Sequence, residues 1–251
     1  MTAARRVLSI GGADRRDFLQ NLVTNDIGQI DDGPVYAALL TPQGKYLADF
    51  FLTDGGDMIY LDVAEAVADD LARRLAMYRL RADVTITPTD LCVNTGLGPA
   101  PDGAAPDPRH PALGWRAISE RAVADPTDRV ALRVAHLVPE TGIELIPNET
   151  YPLEAGFERL NGVDFRKGCY VGQEVTARMK HKTELKKGLA FVCIDGPAEP
   201  GEEISRDGKI VGTLLTRSDD HAIAYLRFDR AGPGMQAGDT TVTYDPDFSV
   251  A

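Results

Sequence analysis

The chain has 251 residues, 43% of them hydrophobic, and a formal net charge of −11. That length can bury a sizeable core in one large or two modest domains, and the acidic balance disfavours attraction to phosphate backbones, so nucleic acid is not expected as a direct partner. No stretch approaches the roughly 18 uninterrupted apolar residues of a membrane span, and Met1 to Arg6 runs into strand-like Val7 to Ile10 without a signal-peptide apolar region, so a cytoplasmic location is expected.

After that first strand, Asp14 to Val23 reads as a helix with Phe18, Leu19, Leu22 and Val23 on one face and Asp14 as its cap. Val35 to Leu40 and Tyr46 to Leu52 flank Pro42-Gln43-Gly44-Lys45 and predict a hairpin; Met58 to Val63 is a further strand. Glu65 to Leu80 is the longest amphipathic helix, with Val67, Leu71, Leu75 and Tyr78 spaced as a core stripe. Val84 to Thr87 and Leu91 to Val93 read as strands. Residues 96 to 114 are too rich in glycine and proline for a regular element and predict a surface loop or subdomain joint. Helices are expected over Thr127 to Leu137 and, behind Pro152, over Leu153 to Leu160. From Leu189 onward, apolar runs at Leu189 to Ile194, Ile210 to Leu215, Ala222 to Phe228 and Thr240 to Tyr244 alternate with turn residues, which suggests an antiparallel β-barrel. The fold class is therefore α+β, with a body over residues 1–186 and a barrel domain over 187–251.

Three cysteines, Cys92, Cys169 and Cys193, without CxxC spacing argue against a disulfide framework or a self-contained metal site and favour a reducing compartment. Cys92 and Cys193 sit in apolar runs and are expected to be packed. Cys169 differs: it follows Lys167 at what reads as a helix start, and a cation and a helix N-terminus both favour the thiolate, the nucleophilic and metal-ligating form. Gly168 and Gly172 bracket it and leave room for another molecule. On chemistry alone, a small buried hydrophobe in a helix-entry turn fits the same residues. Around it, Arg166, Lys167, Arg178, Lys180, Lys182, Lys186 and Lys187 face only Glu174 and Glu184, a basic stretch that is either a solvated face or an attractor for an anionic ligand.

The string Lys167-Gly168-Cys169-Tyr170, followed by Gly172-Gln173-Glu174 and Ala177-Arg178, resembles the signature of the YgfZ family, whose members are similar to the T-protein (aminomethyltransferase) of the glycine cleavage system. Asn25-Asp26-Ile27, Thr41-Pro42-Gln43-Gly44-Lys45, Asp107-Pro108-Arg109, Gly114-Trp115-Arg116 and Leu153-Glu154-Ala155-Gly156-Phe157 extend the likeness along nearly the whole chain. The resemblance implies a T-protein-like body of sheet and helix subdomains around a central cavity, with a C-terminal β-barrel. It also implies a folate-binding accessory factor in iron-sulfur cluster assembly or repair, including support of cluster-dependent tRNA-modifying enzymes, that acts on client or assembly proteins as a monomer.

Carried over to this chain, the resemblance makes Cys169 the reacting thiol and Lys167 its activator, with Gly168, Tyr170, Gly172, Gln173, Glu174 and Arg178 supporting the motif. Tetrahydrofolate or a one-carbon derivative is the implied cofactor, and Asn25, Tyr46, Asp49, Trp115 and Glu154 are its nominated contacts. The alternative is a turnover enzyme, a tetrahydrofolate-dependent aminomethyltransferase. Against it, the T-protein pattern of two adjacent acids is broken here by Ala48 beside Asp49, and a carboxylate near the reacting folate nitrogen is the natural proton-moving group. An accessory factor is therefore favoured over an enzyme.

Overall fold

The computed structural model describes residues 4–181 and 185–245; Lys182 and Glu184 of the basic stretch and the end of the expected barrel domain lie outside the described residues. Strands β1 (Arg5–Gly11), β2 (Val35–Leu40), β3 (Tyr46–Asp54), β4 (Ile59–Ala64) and β5 (Thr85–Pro88) form an antiparallel sheet in the order β2-β3-β4-β1-β5. β2 and β3 are near-continuous apolar runs because both faces of the sheet are covered. On one face, helices α1 (Arg15–Gln20) and α2 (Glu65–Tyr78) pack Phe18, Leu71 and Leu75 against Leu39, Ala48 and Phe50. On the other, Tyr36, Tyr46 and Phe51 meet Val138, Leu145, Phe157 and Leu160.

Several elements differ from the expectation, each for a local reason. α1 stops at Gln20, and Asp14 leaves its N-terminus uncapped because its carboxylate accepts from Asp83 N at 2.8 Å. The glycine- and proline-rich stretch is not a bare loop: β6 (Cys92–Gly96), β7 (Ala105–Pro106) and β8 (Trp115–Ser119) make a small sheet in the order β6-β8-β7. Trp115 lies on Gly96, where any Cβ would overlap the indole. Helix α3 (Arg129–Ala135) is shorter than expected, with its N-terminus at Asp128, whose carboxylate accepts from Val130 N and Ala131 N. Residues 151–161 form a series of turns instead of a helix, since Gly156 and Asn161 take left-handed φ of 77° and 52°.

After α4 (Gln173–His181) the chain enters a closed antiparallel barrel in the order β10-β11-β12-β9-β14-β13, made of β9 (Lys187–Asp195), β10 (Glu203–Arg206), β11 (Lys209–Ser218), β12 (His221–Arg227), β13 (Met235–Ala237) and β14 (Thr240–Tyr244). Its interior holds Val192, Ile204, Leu214 and Leu226. Strand alternation turns Cys193 outward, so it is exposed rather than packed, while Cys92 is half-buried. Body and barrel share a buried polar junction: Glu144 accepts from Arg133 Nη2 at 2.6 Å and from Thr216 Oγ1 at 2.5 Å. Removing one partner of such a pair leaves an uncompensated charge, at a cost of about 3–5 kcal/mol. Among the described residues no helix is long and apolar enough to cross a membrane.

Candidate functional site

Cys169 is exposed. It lies on the loop before α4, four residues ahead of the helix's first residue, Gln173, so the expected placement in a helix N-terminus is not what the fold builds. The loop is instead held by two clamps. At Gly172 (φ 83°) a Cβ would stand 2.5 Å from Thr41 O and 3.0 Å from Gly44 Cα; reciprocally, a Cβ on Gly44 would meet Val175 at 2.9 Å. The glycines of two separate sequence motifs therefore let the cysteine loop sit directly on the β2–β3 turn.

Lys167 is the second clamp. Its ammonium points inward and donates to Gln20 O (2.8 Å), Val23 O (2.6 Å) and Asn25 O (2.8 Å), all at or beyond the end of α1. Burial lowers this amine to about 8, against the opposing charges of Asp26 and Asp164. With all three N–H groups committed to the interior, Lys167 anchors the loop, which corrects its expected role as activator of the thiol. Tyr170 is buried beside it, with the ammonium 5.4 Å from the ring centroid. Around Gly168 an added Cβ would meet nothing within 4 Å. Gln173 opens α4, and Glu174 and Arg178 form an exposed i,i+4 pair at 2.9 Å, worth a few tenths of a kcal/mol. Of the basic stretch, Arg166 is 96% exposed, Lys180 pairs with Glu158 and Lys187 approaches Glu154 at 3.8 Å.

The five nominated folate contacts do not surround one cavity. Glu154 lines a cleft of about 350 Å3 between body and barrel, together with Lys187, Tyr225, Thr213 and apolar Ile143, Ile146, Leu189 and Leu215. Tyr225 donates to Glu154 Oε2 at 2.6 Å; burial first, then this hydrogen bond, pushes the phenol up, so it remains a donor. Asp49 lines a separate cavity of about 90 Å3 and accepts from Tyr36, Tyr46 and Thr141 at 3.1, 2.8 and 2.7 Å. Tyr46 is fully buried, and Ala48 points to the opposite, helix-covered face. Asn25 spends both amide protons on Tyr36 O and Asn161 O beside a third crevice of about 200 Å3. Trp115 lines none of the three.

One cluster escaped the sequence reading. Arg116 bridges Asp62 and Asp107, Arg5 also binds Asp62, and Arg109 chelates Asp107. The Arg116 guanidinium lies 3.2 Å from the Phe51 ring centroid and that of Arg109 4.8 Å away. Burial alone would raise Asp107, but Arg109 and Arg116 reverse that and hold it well below the usual carboxylate range. The only signals were the short pieces Asp107-Pro108-Arg109 and Trp115-Arg116, of which Asp107, Arg109 and Arg116 line the Asp49 cavity.

The family model "CAF17, C-terminal beta-barrel domain" matches residues 186–249. The mitochondrial iron-sulfur cluster assembly factor IBA57 of Homo sapiens is 31% identical over 267 residues, covering 88% of this chain and 75% of the human one; that of Mus musculus is 30% identical over 252 residues, covering 84% and 70%. The IBA57 homolog of Mycosarcoma maydis is 31% identical over 220 residues, covering 74% of this chain and 54% of that protein. The chain thus spans about half to three quarters of the length of these relatives. In fold, it superposes on the crystal structure of the glycine cleavage system aminomethyltransferase T of Bartonella henselae with a TM-score of 0.76 at 12% identity, over 96% of this chain and 82% of that one. The fold is thereby the T-protein-like one expected. The cytoplasmic expectation is corrected, since it is overturned by these relatives, which are named mitochondrial proteins.

Proposed function

Because this chain belongs to the IBA57 family of iron-sulfur cluster assembly factors, we propose that it serves cluster assembly or repair, including in tRNA-modifying enzymes, with Cys169 as its reacting thiol and a reduced folate in the cleft beside Glu154. The observation that carries the reading is an exposed thiol on a loop anchored by Lys167 and seated by Gly172. The YgfZ-type string supplies both anchors. The Cys169 thiol would give its proton to water and its sulfur electron pair to a cluster iron held by an assembly partner, displacing one of the partner's own ligands from that iron, with the cluster as cargo rather than a resident group.

The cleft suits a folate better than the Asp49 cavity does, because about 350 Å3 falls in the range of small-molecule sites and about 90 Å3 does not. A pterin needs flat apolar walls and a carboxylate for its ring N–H groups. Ile143, Ile146, Leu189 and Leu215 supply the walls, and Glu154, whose Oε2 accepts from Tyr225 and lies 3.8 Å from Lys187, supplies the carboxylate. Bound there, the folate would supply one-carbon or reducing chemistry. The acid that Ala48 replaces would point into the helix-covered core of this chain, so nothing here favours aminomethyl transfer.

Two measurements test the proposal. A Cys169→Ala strain is expected to lose activity of a cluster-dependent enzyme under oxidative growth, and full activity would refute the thiol's role. Calorimetry with tetrahydrofolate is expected to show saturable heat that Glu154→Gln weakens; no heat would refute the folate half and leave an interaction module.

A further inference from the structure

The buried stripe of α2 ends early. Spacing assigns Tyr78 to it, yet the six residues from Ala76 to Arg81 are all exposed, with Met77 at 62% and Leu80 at 87%. Leu80 takes φ 47°, a left-handed conformation that glycine adopts freely and a residue with a Cβ resists. At the end of this helix the chain thus holds a leucine in an unfavourable backbone state and in full contact with water. Neither feature serves packing within the described residues.

Between Arg73 and Arg81 the chain carries four arginines and no acid; the flanking Asp69 pairs with Arg6, and Asp83 accepts from Ala13 N. Arg73 and Arg74 share the single carboxylate of Asp70. Arg79 has only a 3.3 Å hydrogen bond to Val84 O, and Arg81 has no partner among the described residues. On a molecule of net charge −11, this is a cationic rim around an apolar knob. Clustered apolar anchors with arginines at the edge are how interface hot spots are built. Three short side chains insert too little to hold an acidic protein on an anionic bilayer, whereas a shaped cleft can enclose them.

We propose that the C-terminal turn of α2, with Met77, Tyr78 and Leu80 as anchors and Arg79 and Arg81 as rim, docks a protein partner whose contact surface is an apolar cleft edged with carboxylates. This surface is independent of Cys169 and of the folate cleft.

The test titrates the full chain with an acidic amphipathic peptide, Glu-Glu-Leu-Leu-Asp-Glu-Leu with blocked ends, while methyl NMR follows Met77 and Leu80. Saturable shifts confined to those methyls are expected. They should weaken at least about tenfold with Leu80→Gly or Arg81→Glu, and fade at 1 M salt, where charges are screened within about 3 Å. Leu80→Gly suits the local φ, so its Tm should hold or rise, which separates lost docking from lost folding. The proposal is overturned by absent shifts, or by an equal response to the Gln/Asn analogue of the peptide. Leu80-dependent binding to phosphatidylglycerol vesicles would reassign the surface to lipid, and self-association abolished by Leu80→Gly would reassign it to a second copy; either also overturns it.

Discussion

Replacing Gly172 by alanine isolates the seat of the cysteine loop on the β2–β3 turn. The residue has φ 83°, and a left-handed backbone costs a residue with a Cβ about 1–2 kcal/mol. The new methyl would also stand 2.5 Å from Thr41 O and 3.0 Å from Gly44 Cα. Both are backbone atoms, so no rotamer change relieves the overlap, and forced shifts of this kind cost about 1–3 kcal/mol. The expected loss is about 3 kcal/mol, or a fall in Tm of roughly 6–12 °C for a chain of this size. Gly168→Ala is the internal control: it lies in the same motif, but its Cβ meets nothing within 4 Å and its φ is not left-handed, so its cost should stay within about 0.5 kcal/mol. Urea denaturation of both variants decides the matter. A Gly172→Ala protein within about 0.5 kcal/mol of wild type, or a Gly168→Ala protein equally damaged, would refute the account.

Lys167 gives a pH signature. Its folded value of about 8 lies below the ordinary 10.5, so between those values the unfolded chain binds more protons and stability rises with pH. The full shift corresponds to about 3.4 kcal/mol, and allowing for residual solvation about 2 kcal/mol is expected. Wild type should gain that much over Lys167→Met between pH 7 and 10.5 in urea denaturation, and a flat or falling difference would contradict it. Arg116→Met should cost about 3 kcal/mol by stranding the facing carboxylates of Asp62 and Asp107; a loss below about 1 kcal/mol would show that Arg5 and Arg109 alone neutralise them.

Most strands were legible because β1 to β4, β9, β11, β12 and β14 each carry an apolar run between turn residues, and burial on both faces strengthens that signal in β2 and β3; β10 and β13, short and of mixed polarity, carry no such run and went unread. The turns at 151–161 were not read as turns because Leu153, Phe157 and Leu160 keep helical spacing although Gly156 and Asn161 twist the backbone out of it. The cysteine motif was visible as a string, but its seat was not, since Gly44 and Gly172 meet from opposite halves of the chain. For the same reason the arginine cluster was hidden: Arg5, Arg109 and Arg116 come from three segments, and a charge in isolation reads as surface. Tyr46, Asp49 and Asn25 were recognisable as motif members, yet their polar atoms are used on one another and on the backbone. Of the five nominated contacts, only Glu154 reaches the cleft between body and barrel.

That cleft is a seam rather than a hole. Lys187, Thr213, Leu215 and Tyr225 come from the barrel and Glu154, Ile143 and Ile146 from the body, so neither half owns a complete wall. A molecule lodged there would stitch the halves together, making them melt as one unit where the empty protein could come apart in stages. Cutting the chain before the barrel would leave Glu154 facing open water and abolish the cleft outright.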